Sequence, residues 1–285
     1  MCYNLFMKIM CVSNSNPNFK NNRFANLDYG YKKLLQEGLK NEYGISCKIE
    51  QLNPIAGPNE MKSIFAKLKA FQYQVGENFR ANFHIHTNAS DGRLSVDEYL
   101  GLCKDWADKV FKDKKSNDDL PPFSASITDH NRIKSTKEVV AKIAENPDEY
   151  KNFKFIAGCE FLFNGYKKPY SAFEAVGLGF NPFDKDLEPI TKGFSSKNTV
   201  EQIPLVTRDG GILSWAHPIV TPDKIVDDFF VFLKEHGIEY VEGFYQYSKW
   251  DKEYVESIKP ELDTMIEKYG MKSTGGTDSH VKSIF

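Results

Sequence analysis

The sequence has little to offer several common chemistries. Its five cysteines, at positions 2, 11, 47, 103 and 159, are dispersed, with no CxxC pair. That pattern argues against a disulfide framework and fits a reducing compartment. Charge of one sign is also missing: 37 Lys and Arg face 39 Asp and Glu, for a net charge of −2. Without an excess of cations there is no electrostatic argument for an anionic membrane, and a long nucleic-acid substrate is disfavoured. No apolar run approaches the roughly 20 residues of a membrane-spanning helix. The opening MCYNLFMKIMCVS is interrupted by Lys8 and has no small-residue cleavage site, so it reads poorly as a signal peptide. A cytoplasmic location is the expectation. There is no internal repeat, no low-complexity tract and no GxGxxG turn.

Hydrophobic residues make up 41% of the chain and aromatics 14%, enough for a sizeable core. The chain divides at about residue 80, and all six histidines lie beyond that point. Before it, 5–12 reads as a strand and 13–22 as an Asn-rich loop. Leu27, Tyr31, Leu34, Leu35 and Leu39 recur at helical spacing, with Gly44 as the stop. Residues 45–52 are a candidate second strand. Met61, Ile64, Phe65, Leu68 and Phe71 mark a second amphipathic helix. The expected β-α-β-α order makes residues 1–80 a small α/β extension.

From residue 82 short apolar runs alternate with helical stretches. Strands are expected at 82–86, 124–128, 154–159, 172–178, 211–215, 238–245 and 272–275. Helices are expected at 95–110, 135–144, 200–209, 222–236 and 252–269. Such alternation predicts βαβ units and a parallel sheet. About seven units favour a barrel, with a doubly wound open sheet as the rival.

The histidines and acids cluster at strand ends. His84 and His86 stand in FHIHT, Asp91 in SDG, Asp129 and His130 in ITDHN, Glu160 in GCEF, His217 in SWAHP, and Asp278 and His280 in GGTDSH. In a parallel α/β barrel these positions converge on one face. Two histidines two apart on a strand point to the same side and can grip one ion. Asp278 and His280 repeat that spacing, and a carboxylate such as Glu160 can bridge two ions. Imidazole with carboxylate suits Zn, Mn or Fe. Several ions in one cleft fit phosphate ester hydrolysis. His236, in LKEHG, reads as structural, since a cation at a helix C-terminus favours the dipole. Alternation turns Cys159 away from the site and into packing.

Taken in order, HIHTNASDG, ITDHN, GCEF, WAHP and GTDSH resemble the motifs of the PHP (polymerase and histidinol phosphatase) superfamily, over about residues 80–285. The resemblance implies a distorted seven-stranded α/β barrel over 81–285, two to three divalent metals (Mn, Zn or Fe), and phosphoester hydrolysis by a metal-bound hydroxide. It implies that His84, His86, Glu160 and Asp278 bind one ion and that Glu160 bridges to a second. His217 would hold the second ion, and Asp91, His130 and His280 the third. Asp129 would orient His130 or the site from behind the ligands. In FEAVGLGF, Glu174 stands where the family often has a histidine. It remains a candidate ligand, since a carboxylate can bind a hard or borderline metal.

Phosphate needs cations besides the metals. Arg93, Arg132, Lys134 and Lys249 follow the motifs, and Arg132 and Lys249 are the better candidates. Tyr245, Tyr247 and Trp215 are equally placed for stacking on a ligand or for packing. The expected substrate is a small phosphorylated metabolite or a nucleotide. An amidohydrolase acting on a C–N or carboxylic ester bond and a non-catalytic metal-binding module are the alternatives.

Overall fold

The computed structural model describes residues 17–113, 119–165, 172–247 and 249–285, with side chains from residue 27. The expected strand at 5–12 and the residues 114–118 lie outside the described set. Helix α1 spans Pro17–Tyr43, so it takes over the second half of the expected 13–22 loop. Proline is well suited to a first helical turn because its missing N–H has no intrahelical partner there. Gly44, in the left-handed region at φ +69°, ends the helix.

The expected strand at 45–52 does not form. Instead a 3-10 turn spans Ile49–Leu52. The Gln51 side chain supplies one local and one long-range bond: the Lys48 N–H donates to its Oε1 at 2.8 Å, and its Nε2 donates to the Ala144 carbonyl at 3.0 Å. These bonds curl the backbone where the strand was expected. Helix α2, Pro58–Lys67, follows as expected and stops short of Phe71. The β-α-β-α order is therefore not seen among the described residues of this segment.

The remaining strands are β1 (Ala81–Asn82), β2 (Phe123–Ala125), β3 (Phe153–Phe155), β4 (Gly158–Asn164), β5 (Phe173–Leu178), β6 (Asn198–Thr199), β7 (Ile212–Trp215), β8 (Tyr240–Val241) and β9 (Lys272–Ser273). Between them lie α3 (Val96–Asp113), α4 (Lys134–Glu145), α5 (Ile203–Thr207), α6 (Asp227–Glu235) and α7 (Lys252–Lys268). Every expected helix beyond residue 82 has a counterpart, although 200–209 opens as a 3-10 turn and 222–236 is broken before α6. No described helix is long and apolar enough to cross a membrane.

The described strands form a three-stranded sheet, β1-β2-β3, and a six-stranded sheet, β6-β4-β5-β7-β8-β9. Parallel bridges join the two at Ile85–Ser279 on one side and His130–Glu160 on the other. The expectation of a wholly parallel arrangement is corrected at β5, which runs antiparallel to both β4 and β7. Only residues 165–172 connect β4 to β5, too few for the crossover a parallel pair requires. The reversal has a consequence for the site. It brings the start of β5, at Glu174, to the same end as the last residues of β4 and β7. Glu174 pairs with Leu162, and the Ala216 N–H donates to the Glu174 carbonyl at 3.0 Å.

The opposite end is filled by the N-terminal segment. Met61, Ile64 and Phe65 of α2 share one buried cluster with Phe83, Leu178 and Ile212. Leu178 ends β5 and Ile212 begins β7, so α2 covers the far end of these strands from Glu174 and His217. A second cluster joins Tyr31, Leu35 and Leu39 of α1 to α3, α4, β2 and β3, and to Phe79 and Ile85 on either side of β1.

Asn82 fastens β1 to the 275–284 segment. Its Nδ2 donates to Thr277 Oγ1 and to the Ile284 carbonyl, both at 2.8 Å. Its Oδ1 accepts from the His84 and Thr277 N–H groups at 3.2 and 3.1 Å. All four partners are buried, and an unmet buried polar group costs about 1–3 kcal/mol. Asn82→Ala is expected to lower the unfolding free energy by about 2–4 kcal/mol, measured by urea denaturation.

Candidate metal centre

Each element delivers its residue for a local reason. His84 and His86 lie in the extended segment after β1, held by the Ile85–Ser279 bridge. The chain then turns sharply. The Ser90 and Gly92 N–H groups donate to the Thr87 carbonyl at 3.1 and 2.9 Å, which places Asp91 beside His86. A β-carbon at Gly92 would lie 2.3 Å from the His86 carbonyl oxygen, so the SDG turn requires glycine there.

Asp129 braces this turn. It accepts from the Thr87 N–H and Thr87 Oγ1, both at 2.7 Å, and from Ser90 Oγ at 2.8 Å. Both of its oxygens are engaged with residues 87 and 90 rather than with His130. Its contacts are those of a group that positions the Asp91 turn.

The structure brings all nine expected ligands into four overlapping groups of metal-binding geometry: His84–His86–Asp278, His84–Glu160–His217, His130–Glu160–Glu174, and His86–Asp91–His130–His280. His84, His86 and Glu160 are fully buried. His84 Nε2 and His86 Nε2 face one another at 3.1 Å. Glu160 Oε2 lies 3.2 and 3.3 Å from them, and Asp278 Oδ1 lies 3.4 and 3.0 Å away. Four ligands around an ion at about 2.0–2.1 Å in a tetrahedral array need separations of about 3.3–3.4 Å. The donor set fits a divalent ion.

The other oxygen of Glu160 serves a second grouping, with His217 Nε2 at 3.1 Å. Glu174 Oε2 lies 3.4 Å from the same nitrogen. On the outer side, Asp91 Oδ2 lies 3.2 Å from His280 Nε2 and 3.6 Å from His130 Nε2, and Asp91 Oδ1 lies 3.7 Å from His86 Nδ1. His130 also turns Nδ1 to Glu160 Oε2 at 3.1 Å, which draws it toward the second grouping as well as the third. His86 Nδ1 and His217 Nδ1 are buried without a hydrogen bond. Orphaned donor atoms of this kind, collected in one place, suit a cation.

The charges follow from this crowding. Burial pushes the Glu160 carboxyl upward, but the His84 charge and hydrogen bonds from His217, His84 and His86 outweigh it and hold Glu160 well below the carboxylate range. His86 loses charge to burial, yet Asp278 and Glu160 lift it to about 9. Glu174 is raised, first by burial and then by the Glu160 charge. His130 is lowered, chiefly by burial.

Among the described residues, three non-glycine residues have positive φ, and all lie here: Asn131 at 46°, His217 at 29° and Asp278 at 48°. Such conformations persist where surrounding bonds fix them. Asn131 Oδ1 accepts from the Leu162 N–H at 3.1 Å and Asn198 Nδ2 at 2.7 Å. Tyr245 OH donates to Asp278 Oδ2 at 3.0 Å, and Lys249 Nζ donates to the Asp278 carbonyl at 3.2 Å.

His217 is fixed by a residue the sequence analysis missed. Glu242, 1% exposed, accepts from the His217 N–H at 2.8 Å. Its two oxygens also lie 3.0 and 3.1 Å from His84 Nδ1. One carboxylate therefore orients ligands of two groupings. Nothing in VEGF marks it, because its partners come from other strands.

Of the expected cations, Lys249 is placed on a ligand residue. Arg132 is exposed and lies against Gly193. Arg93 and Lys134 are exposed, with no contact to the ligand groups among the described residues. Trp215 is buried and packs edge-on against Phe229 at 4.9 Å, so it is core. Tyr247 OH accepts from the Ile219 N–H at 3.0 Å and braces the turn after His217. Cys159 is buried in the core. His236 stands at the C-terminus of α6 with Nδ1 2.8 Å from the Phe232 carbonyl.

No protein-family model matches the sequence, and no curated protein matches it. Among solved structures, the chain is similar to a protein from Bifidobacterium adolescentis named a "putative metal-dependent phosphoesterase", with 14% identity, 72% of this chain and 89% of that chain covered, and a TM-score of 0.50. It is also similar to an amidohydrolase from Chromobacterium violaceum with bound sulfate and no metal, with 15% identity, 71% and 88% coverage, and a TM-score of 0.46. At 14% identity the likeness to the Bifidobacterium protein is one of fold.

Partners behind metal ligands typically carry 10–100-fold of affinity. Glu242→Gln keeps the shape but has one acceptor oxygen where two contacts must be met. It is expected to weaken Mn or Zn binding by about 10–100-fold, read by equilibrium dialysis.

Proposed function

We propose that the chain is a metal-dependent hydrolase of phosphate esters, built as a PHP-type barrel over residues 81–285 with residues 1–80 as an extension. One observation carries the reading: nine histidine and acidic side chains from separate strand ends meet in overlapping groups of metal-binding geometry. The two linked sheets support the barrel, since bridges at Ile85–Ser279 and His130–Glu160 join them on both sides.

His84, His86, Glu160 and Asp278 would hold the first ion. Glu160, His217 and Glu174 would hold a second, with His130 Nδ1 beside it. Asp91, His130 and His280 would hold a third. Divalent ions bound there supply Lewis acidity toward a phosphoryl oxygen and lower the pKa of water.

The chain's own residues do the rest. Lys249, exposed beside Asp278, offers a mobile cation to a phosphate oxygen, and Arg132 offers a planar one further out. Asp129 holds Asp91 in place through Thr87 and Ser90. Glu242 and Tyr245 fix His84, His217 and Asp278 so that the ligands need no rearrangement on binding. The substrate class is a small phosphorylated metabolite or nucleotide.

Elemental analysis is expected to give two to three Mn, Zn or Fe per chain. The protein should hydrolyse p-nitrophenyl phosphate or its bis ester, and the preference would separate monoester from diester. His86→Ala removes a ligand outright. Its kcat/KM should fall by roughly 10³-fold or more, beyond the range of a supporting group. Metal without phosphoester turnover would favour a C–N or carboxylic ester substrate, and absence of both would favour a binding module. A metal count unchanged in Glu174→Ala would remove Glu174 from the ligand set.

A further inference from the structure

Phe194 is the most exposed of the large hydrophobic side chains described, at 61%. Its ring lies 5.1 Å from that of His130, tilted by 40°, so it stands at the rim of the metal centre. The turn that carries it is firmly held. The Gly193 N–H donates to the Asn131 carbonyl at 2.7 Å, and the Ser196 N–H donates to the Gly193 carbonyl at 2.9 Å. The Lys192 N–H donates to Ser196 Oγ at 2.8 Å. Gly193 has φ +76°, and a β-carbon there would lie 2.7 Å from the Arg132 guanidinium. Arg132 thus packs against the same turn.

An apolar ring fixed in solvent beside a reaction centre gains by covering its face with another ring. Resting on the phosphoester reading above, we propose that Phe194 is a specificity-determining residue that stacks on an aromatic or heteroaromatic group of the substrate. The turn is preorganised, so the contact needs little ordering on binding. His130 lies on one side of the ring, and the exposed remainder of Phe194 is the surface available to a ligand.

The test is calorimetric titration of the Mn-loaded protein with phenylphosphonate and methylphosphonate, alongside turnover of p-nitrophenyl phosphate. The wild type is expected to prefer phenylphosphonate. In Phe194→Ala that preference should shrink by roughly 2- to 10-fold, the range of an aromatic pair. Phe194→Trp should keep it. Equal binding of both phosphonates by the wild type, or a preference unchanged in Phe194→Ala, would overturn the stacking role while leaving the phosphoesterase intact. Binding of neither phosphonate together with no ester turnover would overturn both.

Discussion

The constraint on which the structure turns is the burial of Glu160. A carboxylate with no exposed surface is costly unless opposite charge or hydrogen-bond donors surround it. Here His84, His86, His130 and His217 each place a ring nitrogen within 3.3 Å of it. Those imidazoles come from segments after β1, β2 and β7, so satisfying one side chain fixes the relative positions of four strands. The remaining acids sit at the margins of this core. Asp91 and Glu174 are partly exposed, where their charge is less costly. The result is a buried anion within an open acidic rim.

The site was largely legible because its signals are local. HxH and DxH spacings are read from three residues at a time, and strand-end positions follow from the alternation of apolar runs. Eight candidate ligands were named from those patterns and Glu174 from the family resemblance, and all nine side chains meet in space. Glu242 was not legible, since it stands alone in its segment and is defined by His84 and His217, 158 and 25 positions away. Phe194 was invisible for the opposite reason. A lone phenylalanine reads as core until its exposure is known.

The fold was legible in its helices and less so in its pairing. Amphipathic periodicity located α2, α3, α4, α6 and α7. The reversal of β5 had a visible cue in the missing helix between 159 and 172, but periodicity of two says nothing about direction. The strand expected at 45–52 failed because a single glutamine side chain supplied the backbone with a turn. The extension was separated at residue 80 by its lack of histidine. That boundary concerns chemistry, whereas α1 and α2 share apolar clusters with the rest of the chain.

The Asn82 clamp has a consequence for synthesis. Its partner Thr277 lies 195 positions later. A ribosome adding about 5–20 residues per second needs roughly 10–40 s to deliver that partner. Until then β1 lacks one neighbour, and His84 and His86 lack Asp278. The nascent chain therefore carries an open strand edge and a half-built cluster of imidazoles through most of its translation. Interim shelter by a chaperone, or by α2 docking early on Phe83, would decide how much of the newly made protein reaches the folded state.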